Sequence, residues 1–126
     1  MAWKNMRGMP QIKRETVTID ATKQVVGRLA SRIAKILMGK DKADYTPNID
    51  SGAIVKVTHA DKLVFTGKKM QQKVIFKSSN RPSGIKRLPV AKLQEERPGY
   101  VLMHAVEYML PKNRLQKERL KRLIIV

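Results

Sequence analysis

Apolar side chains at Val26, Leu29 or Ala30, Ile33, and Ile36 or Leu37 recur every three to four positions through VVGRLASRIAKILMGK. That spacing gathers them on one stripe of a helix and leaves Arg28, Arg32 and Lys35 on the other side. Just upstream, VTI at 17–19 is short and β-branched, which predicts a buried strand. Asp20 and Thr22 lie between strand and helix and are candidate helix caps. Gly39 predicts the helix end, and Lys40 suits the negative pole of its dipole.

Polar turn chemistry follows in DKADYTPNIDSG at 41–52, and AIVKVTHA at 53–60 predicts the next strand. Strand, helix and strand in that order make a βαβ unit, which favours a parallel sheet and an α/β fold. KLVFT at 62–66 and KVIFK at 73–77 are expected to pair as a hairpin with GKKMQQ as its basic tip. Phe65 and Phe76 are read as core strand residues, and SSNRPSGIKR as a loop. Pro89 suits a first helical turn, VAKLQEER a short helix, and Pro98 with Gly99 a stop. YVLMHAVEYML predicts a second helix, broken by Pro111, and NRLQKERLKR a third. The final IIV either adds a strand or docks on the core.

Charge changes this picture most. The 126 residues carry 27 Lys and Arg against 10 Asp and Glu, a net charge of +17. No residue between Asp61 and Glu95 is acidic. Folded chains mix charge signs to limit self-repulsion, so this imbalance points to a polyanionic partner. The cations form three groups. Lys40 and Lys42 follow the long helix. Lys68, Lys69, Lys73, Lys77, Arg81, Lys86 and Arg87 fill the acid-free stretch. Lys112, Arg114, Lys117, Lys121 and Arg122 lie in or beside the last helix, where Glu118 is placed to pair with Arg114, Lys121 or Arg122. Aromatic residues are few, so no stacking platform for single strands is expected. The pattern is that of phosphate-backbone and RNA-shape recognition.

Other chemistries find little support. The chain has no Cys, so disulfides and thiolate metal sites are excluded. The expected topology is Rossmann-like without the nucleotide fingerprint, because Gly27 stands alone inside the helix. Gly67-Lys68-Lys69 lacks the upstream Gly and the hydroxyl of a phosphate loop. His59 and His104 sit in apolar elements and are read as structural. His59-Ala-Asp61 is a general-base arrangement only if the strand continues through it. Asp41, Asp44 and Asp50 are read as turn and cap residues in preference to a magnesium cluster. We therefore expect no enzyme, no catalytic or metal residues, no cofactor and no small-molecule substrate. No apolar run reaches the ~20 residues of a membrane span, and no membrane partner is expected. The organisation is read as a basic arm over 1–15 and a single domain over 16–126.

DAT, VGRLAS, GKDKADYTPNIDSG and ADKLVFTGKK follow one another, and MLPKNRL at 109–115 completes the series. In order and spacing they resemble the family of large-subunit ribosomal protein thirteen, of bacterial or organellar type, over residues 16–123. The resemblance implies a three-layer α/β/α domain around a mostly parallel four-stranded sheet, with basic loop and terminal extensions. It implies a structural part of the large ribosomal subunit, in the cytoplasm or an organelle, helping early assembly. Its partners would be large-subunit ribosomal RNA and neighbouring large-subunit proteins. The shared GK-x-K-x-x-YTP segment adds Tyr45 and Thr46 to Lys40 and Lys42 as RNA-binding candidates. The rival reading from charge alone is a general nucleic-acid-compacting protein of the nucleoid.

Overall fold

The computed structural model describes residues 12–126. Residues 1–11 of the expected basic arm lie outside this range. Strand β1, Thr16–Asp20, leads through a short turn to helix α1, Val26–Met38, and back to strand β2, Ile54–Thr58. β1 and β2 pair in parallel, with Val17 opposite Val55 and Ile19 opposite Val57. The expected βαβ unit is therefore present. The final apolar residues form strand β5, Leu123–Ile125, parallel to β2 on its other side. The α/β fold with a parallel sheet in the order β1-β2-β5 matches the expectation at this level.

Alternation along the strands decides which face is inward. Ile19, Val55 and Val57 are buried, whereas Thr16, Thr18 and Lys56 on the opposite face are exposed. Leu29, Ala30, Ile33 and Leu37 of α1 share one core with these strand residues and with Val101, Leu102 and Val106 of helix α4, Tyr100–Met109. Gly39 ends α1 as expected. Its φ of 82° lets its N–H reach the Ile36 and Lys35 carbonyls, and a Cβ there would lie 2.7 Å from Ser51 Oγ.

Two local expectations fail. The N-cap of α1 is Val25, with no side-chain cap. Asp20 Oδ1 instead accepts from the Thr22 amide (2.9 Å) and hydroxyl (2.7 Å), closing the turn after β1. The helix start is served by a distant segment: Val26 N donates to Val64 O, and Val64 N to Gln24 O. Val64 makes only this isolated parallel bridge with Val25, and the strand predicted at 62–66 does not form. A 3₁₀ turn at Ala60–Lys62 comes first, and Leu63 is buried among the core residues. The apolar run reflects packing at the foot of α1 and forms no hairpin edge.

The hairpin lies further along. Helix α2, Lys69–Gln72, leads to strand β3, Val74–Ser78, which pairs antiparallel with β4, Ile85–Pro89. IKR, the end of the predicted loop, and Pro89, predicted in a first helical turn, thus belong to the strand IKRLP. Their two-residue periodicity is masked because four of the five are exposed. Helix α3, Val90–Glu96, then α4 and helix α5, Arg114–Lys121, follow close to the predicted positions. Asn113 caps α5 by accepting from the Leu115 amide at 3.1 Å.

One carboxylate ties these elements together. Asp50 accepts from both terminal nitrogens of Arg122, at 2.5 and 2.8 Å. Arg119 Nε lies 3.5 Å and Arg14 Nη2 3.6 Å from the same group. The Arg119 side chain is only 3% exposed and that of Asp50 12%. Arg122 also donates to the Leu37 carbonyl at the end of α1, and Arg14 to Gly52 O at 2.6 Å. Gly52 permits this crowding, since a Cβ there would clash with the Leu37 carbonyl at 1.8 Å. Burial alone would raise the Asp50 pKa. Hydrogen bonds and charge from Arg122, then the charges of Arg14 and Arg119, outweigh it and hold the carboxyl below its usual range.

The sign of the resulting pH effect follows. A depressed folded pKa contributes stability above the ordinary carboxylate value of about 3.9, and that stability is lost as pH falls through the lower folded value. Asp50→Asn removes the anion that three guanidinium groups share. It should cost about 3–5 kcal/mol at pH 7. Denaturant unfolding at several pH values should show the gap between parent and variant closing below about pH 4.

Candidate nucleic-acid interface

The unit α2-β3-β4 carries the largest cationic group. Lys68 and Lys69 open α2, Lys73 closes it, and all three are exposed. Lys68, Lys69 and Lys73 share a shallow depression with Thr66, Gly67 and Gln72. Lys73 runs directly into β3, and its carbonyl accepts from Val90 N at 3.0 Å, which roots the hairpin against α3. Lys77 and Lys86 are directly opposite one another across the ladder, and both are exposed. Like charges in such a pair repel. The tip at 79–84 is closed by Ser79 N and Oγ, both donating to Gly84 O at 2.7 Å. It holds Arg81 exposed beside Asn80, which adopts a φ of 59°. Arg87 faces Phe76, with its guanidinium carbon 6.0 Å from the ring centre.

The second group is split by the fold. Lys112, Arg114, Lys117 and Lys121 are exposed. Lys121 pairs with Glu118 at 3.6 Å, as the spacing allowed. Lys112 Nζ stands 5.6 Å over the Tyr108 ring, which continues a row with His104 (4.7 Å) and Tyr100. Arg122 is turned inward onto Asp50. In the third group Lys40 Nζ lies 6.0 Å over the half-buried Tyr45 ring. Lys42 and Thr46 line a groove with Ile12, Lys13, Asp44, Ile49 and Ser51.

Counter-ions decide what these positions mean. Among the described residues, the only candidate cations in ion pairs are Lys121, with Glu118, and Arg122, with Asp50. The others face solvent or half-face it without a protein anion. Arg28, Arg32 and Lys35 on the outer side of α1 are exposed in the same way and extend the basic surface beyond the sequence-based candidates.

Two further readings are corrected. Phe76 is no core residue: it is 62% exposed. The His59–Asp61 arrangement does not form, because β2 ends at Thr58 and His59 adopts a φ of 55°. His59 Nδ1 instead lies 3.2 Å from Asp20 Oδ1. Hydrogen bonds from the Thr22 side chain and backbone are the main cause of a lowered Asp20 pKa. Asp50 is committed to arginines, and no metal-ligating cluster occurs among the described residues. No helix there is long and apolar enough to cross a membrane.

Fold and surface together define a small α/β domain of the polyanion-binding class, with paired arginines inside and unpaired lysines and arginines outside. The sequence comparisons narrow this. A family model described as Ribosomal protein L13 matches residues 14–126. The large ribosomal subunit protein uL13 of Caldanaerobacter subterraneus subsp. tengcongensis is 49% identical over 112 residues, covering 89% of this chain and 78% of that one. The protein of the same name from Thermotoga maritima is 49% identical over 113 residues, covering 90% and 76%. The one from Maridesulfovibrio salexigens is 47% identical over 112 residues, covering 89% and 79%. The chain belongs to the ribosomal protein L13 family.

Lys86→Glu converts the repulsive pair with Lys77 into an attractive one. We expect it to stabilise the isolated protein by about 0.2–1 kcal/mol, read as a raised melting temperature at low salt.

Proposed function

We propose that the protein is a structural component of the large ribosomal subunit that binds large-subunit ribosomal RNA, supports early assembly of the particle and contacts neighbouring ribosomal proteins. The observation that carries this reading is the outward set of cations without protein counter-ions, in a chain of this family. We assign it no catalysis and no cofactor, and we place it on the ribosome, in the cytoplasm for a bacterial source.

Binding is driven by counterion release as lysines and arginines meet phosphates. The interface comprises Lys68, Lys69, Lys73, Lys77, Arg81, Lys86 and Arg87 on α2 and the hairpin, with Lys112, Arg114, Lys117 and Lys121 as a second patch. Lys40, Lys42, Tyr45 and Thr46 form a third. Arg122 serves from behind, by holding the end of α5 to Asp50. RNA phosphate between Lys77 and Lys86 would turn their mutual repulsion into shared attraction. The single domain over 16–126, preceded by the basic arm over 1–15, belongs to the same proposal. So does the three-layer, four-stranded form implied by the family resemblance.

Fractionating a lysate on a sucrose gradient after a high-salt wash, with the protein followed by mass spectrometry, tests the assignment. Stoichiometric retention on the large subunit is expected. Migration with the nucleoid would favour the compaction reading instead. In titrations with purified large-subunit ribosomal RNA, engagement of ~6–10 phosphates predicts a fall in affinity of ~10³–10⁵-fold between 50 and 200 mM salt. Replacing Arg81, Lys86 and Arg87 with Ala should weaken binding with the fold intact. It should also flatten that slope by about 0.7–0.9 for each phosphate no longer neutralised.

A further inference from the structure

Two large apolar side chains stand out on the hairpin by their exposure. Phe76 is 62% exposed and Ile85 66%. They belong to one face. Phe76 is opposite Arg87 and Ile85 opposite Ser78, so strand alternation directs all four the same way. The other face carries Ile75, which is buried, and Leu88, which packs against the core. The hairpin is therefore anchored through one side while an aromatic and an aliphatic group are held out on the other.

From this geometry we propose that Phe76, flanked by Ile85 and backed by Arg87, is a stacking site for an unpaired RNA base. The inference rests on the RNA-binding reading and deepens it. The Arg87 guanidinium, 6.0 Å from the ring centre, occupies one side of Phe76 and restrains its orientation. The ring offers a π-surface to a base, and such stacking tolerates any sequence. The surroundings select the occupant. Arg87 is exposed on this same face and Arg81 at the tip, whereas Lys77 and Lys86 are exposed on the opposite face of the two strands, and no acid occurs from Lys62 through Gln94. A base brings its own phosphates to Arg87 and Arg81. The base must be unpaired, because faces within an A-form helix are already stacked and its major groove is too narrow to admit the hairpin.

Stacking and phosphate binding differ in salt dependence, which makes the site testable in the full chain. Phe76→Ala should lower affinity for large-subunit ribosomal RNA roughly 5- to 150-fold at each salt concentration. Its salt slope should match the parent's, since a phenyl ring releases no counterion. Phe76→Tyr should bind as the parent does. Phe76→Leu, apolar but without a flat face, should lose affinity like the Ala variant. Melting temperatures should stay close to the parent's, because the side chain is exposed. In chemical probing of the complexes, one nucleotide should be protected by the parent and reactive with Phe76→Ala.

Parent-like binding by Phe76→Ala overturns the inference, and so does parent-like binding by Phe76→Leu. If Arg81→Ala with Lys86→Ala flattens the salt slope while Phe76→Ala changes nothing, the RNA-binding reading stands and the stacking site falls. If the parent does not bind this RNA at all, both fall. Loss of co-sedimentation with anionic phospholipid vesicles in Phe76→Ala, with RNA affinity unchanged, would make the face a lipid-binding one and likewise overturn the proposal.

Discussion

The cluster around Asp50 is the constraint on which the rest of the domain depends. A single carboxylate is shared by Arg14, Arg119 and Arg122, which approach from the segment before β1 and from both the body and the end of α5. Through Arg122 the cluster also grips the last turn of α1. Burying ions is expensive, and the Coulomb attraction repays it only when the remaining donors are also satisfied. Here backbone carbonyls of Leu37 and Gly52 take up two of them, while the buried Arg122 Nε is left without a partner. The cluster thus fixes how helices and sheet meet at one end of the fold. It still leaves an excess of positive charge inside.

That excess matches the outside. The protein sorts its cations by geometry: arginines with planar forks go to the shared carboxylate, while most described lysines and the remaining arginines stand in solvent without a protein anion, Lys92 and Lys121 excepted. Exposed like charges weaken a compact state through self-repulsion. The apolar core of α1, α4 and the sheet carries that burden in the free protein. An RNA surface would remove it.

The periodic parts of this architecture were legible from the chain. The βαβ unit, the end of α1 at Gly39 and the helices α3 to α5 follow from local pattern and capping. What stayed hidden depends on partners far away in sequence. KLVFT resembles a strand because Leu63 and Phe65 are apolar, yet they pack at the foot of α1. IKRLP hid its strand character because most of it is exposed. Phe76 reads as core from its side chain alone, yet Ile75 beside it is the buried member and alternation turns Phe76 to the other face. Asp50 resembles the other loop aspartates, and nothing local marks a carboxylate whose main partner is 72 residues away. The basic clusters themselves were legible as charge. Their division into inward and outward members needed the helix phase of α5 and the position of Asp50.

The threading of the sheet also sets an order in time. β2 is the middle strand, yet one of its neighbours is β5, residues 123–125. A chain emerging from its own synthesis can close α1 against β1 and β2, and can form the β3–β4 hairpin from adjacent residues. It cannot seat Arg119 and Arg122 on Asp50 until it has grown past Arg122, nor complete the sheet until it has grown past Ile125. Pairings this distant in sequence form late, because the intervening loop must first be closed. The hairpin that presents the cations is therefore available before the domain behind it is locked.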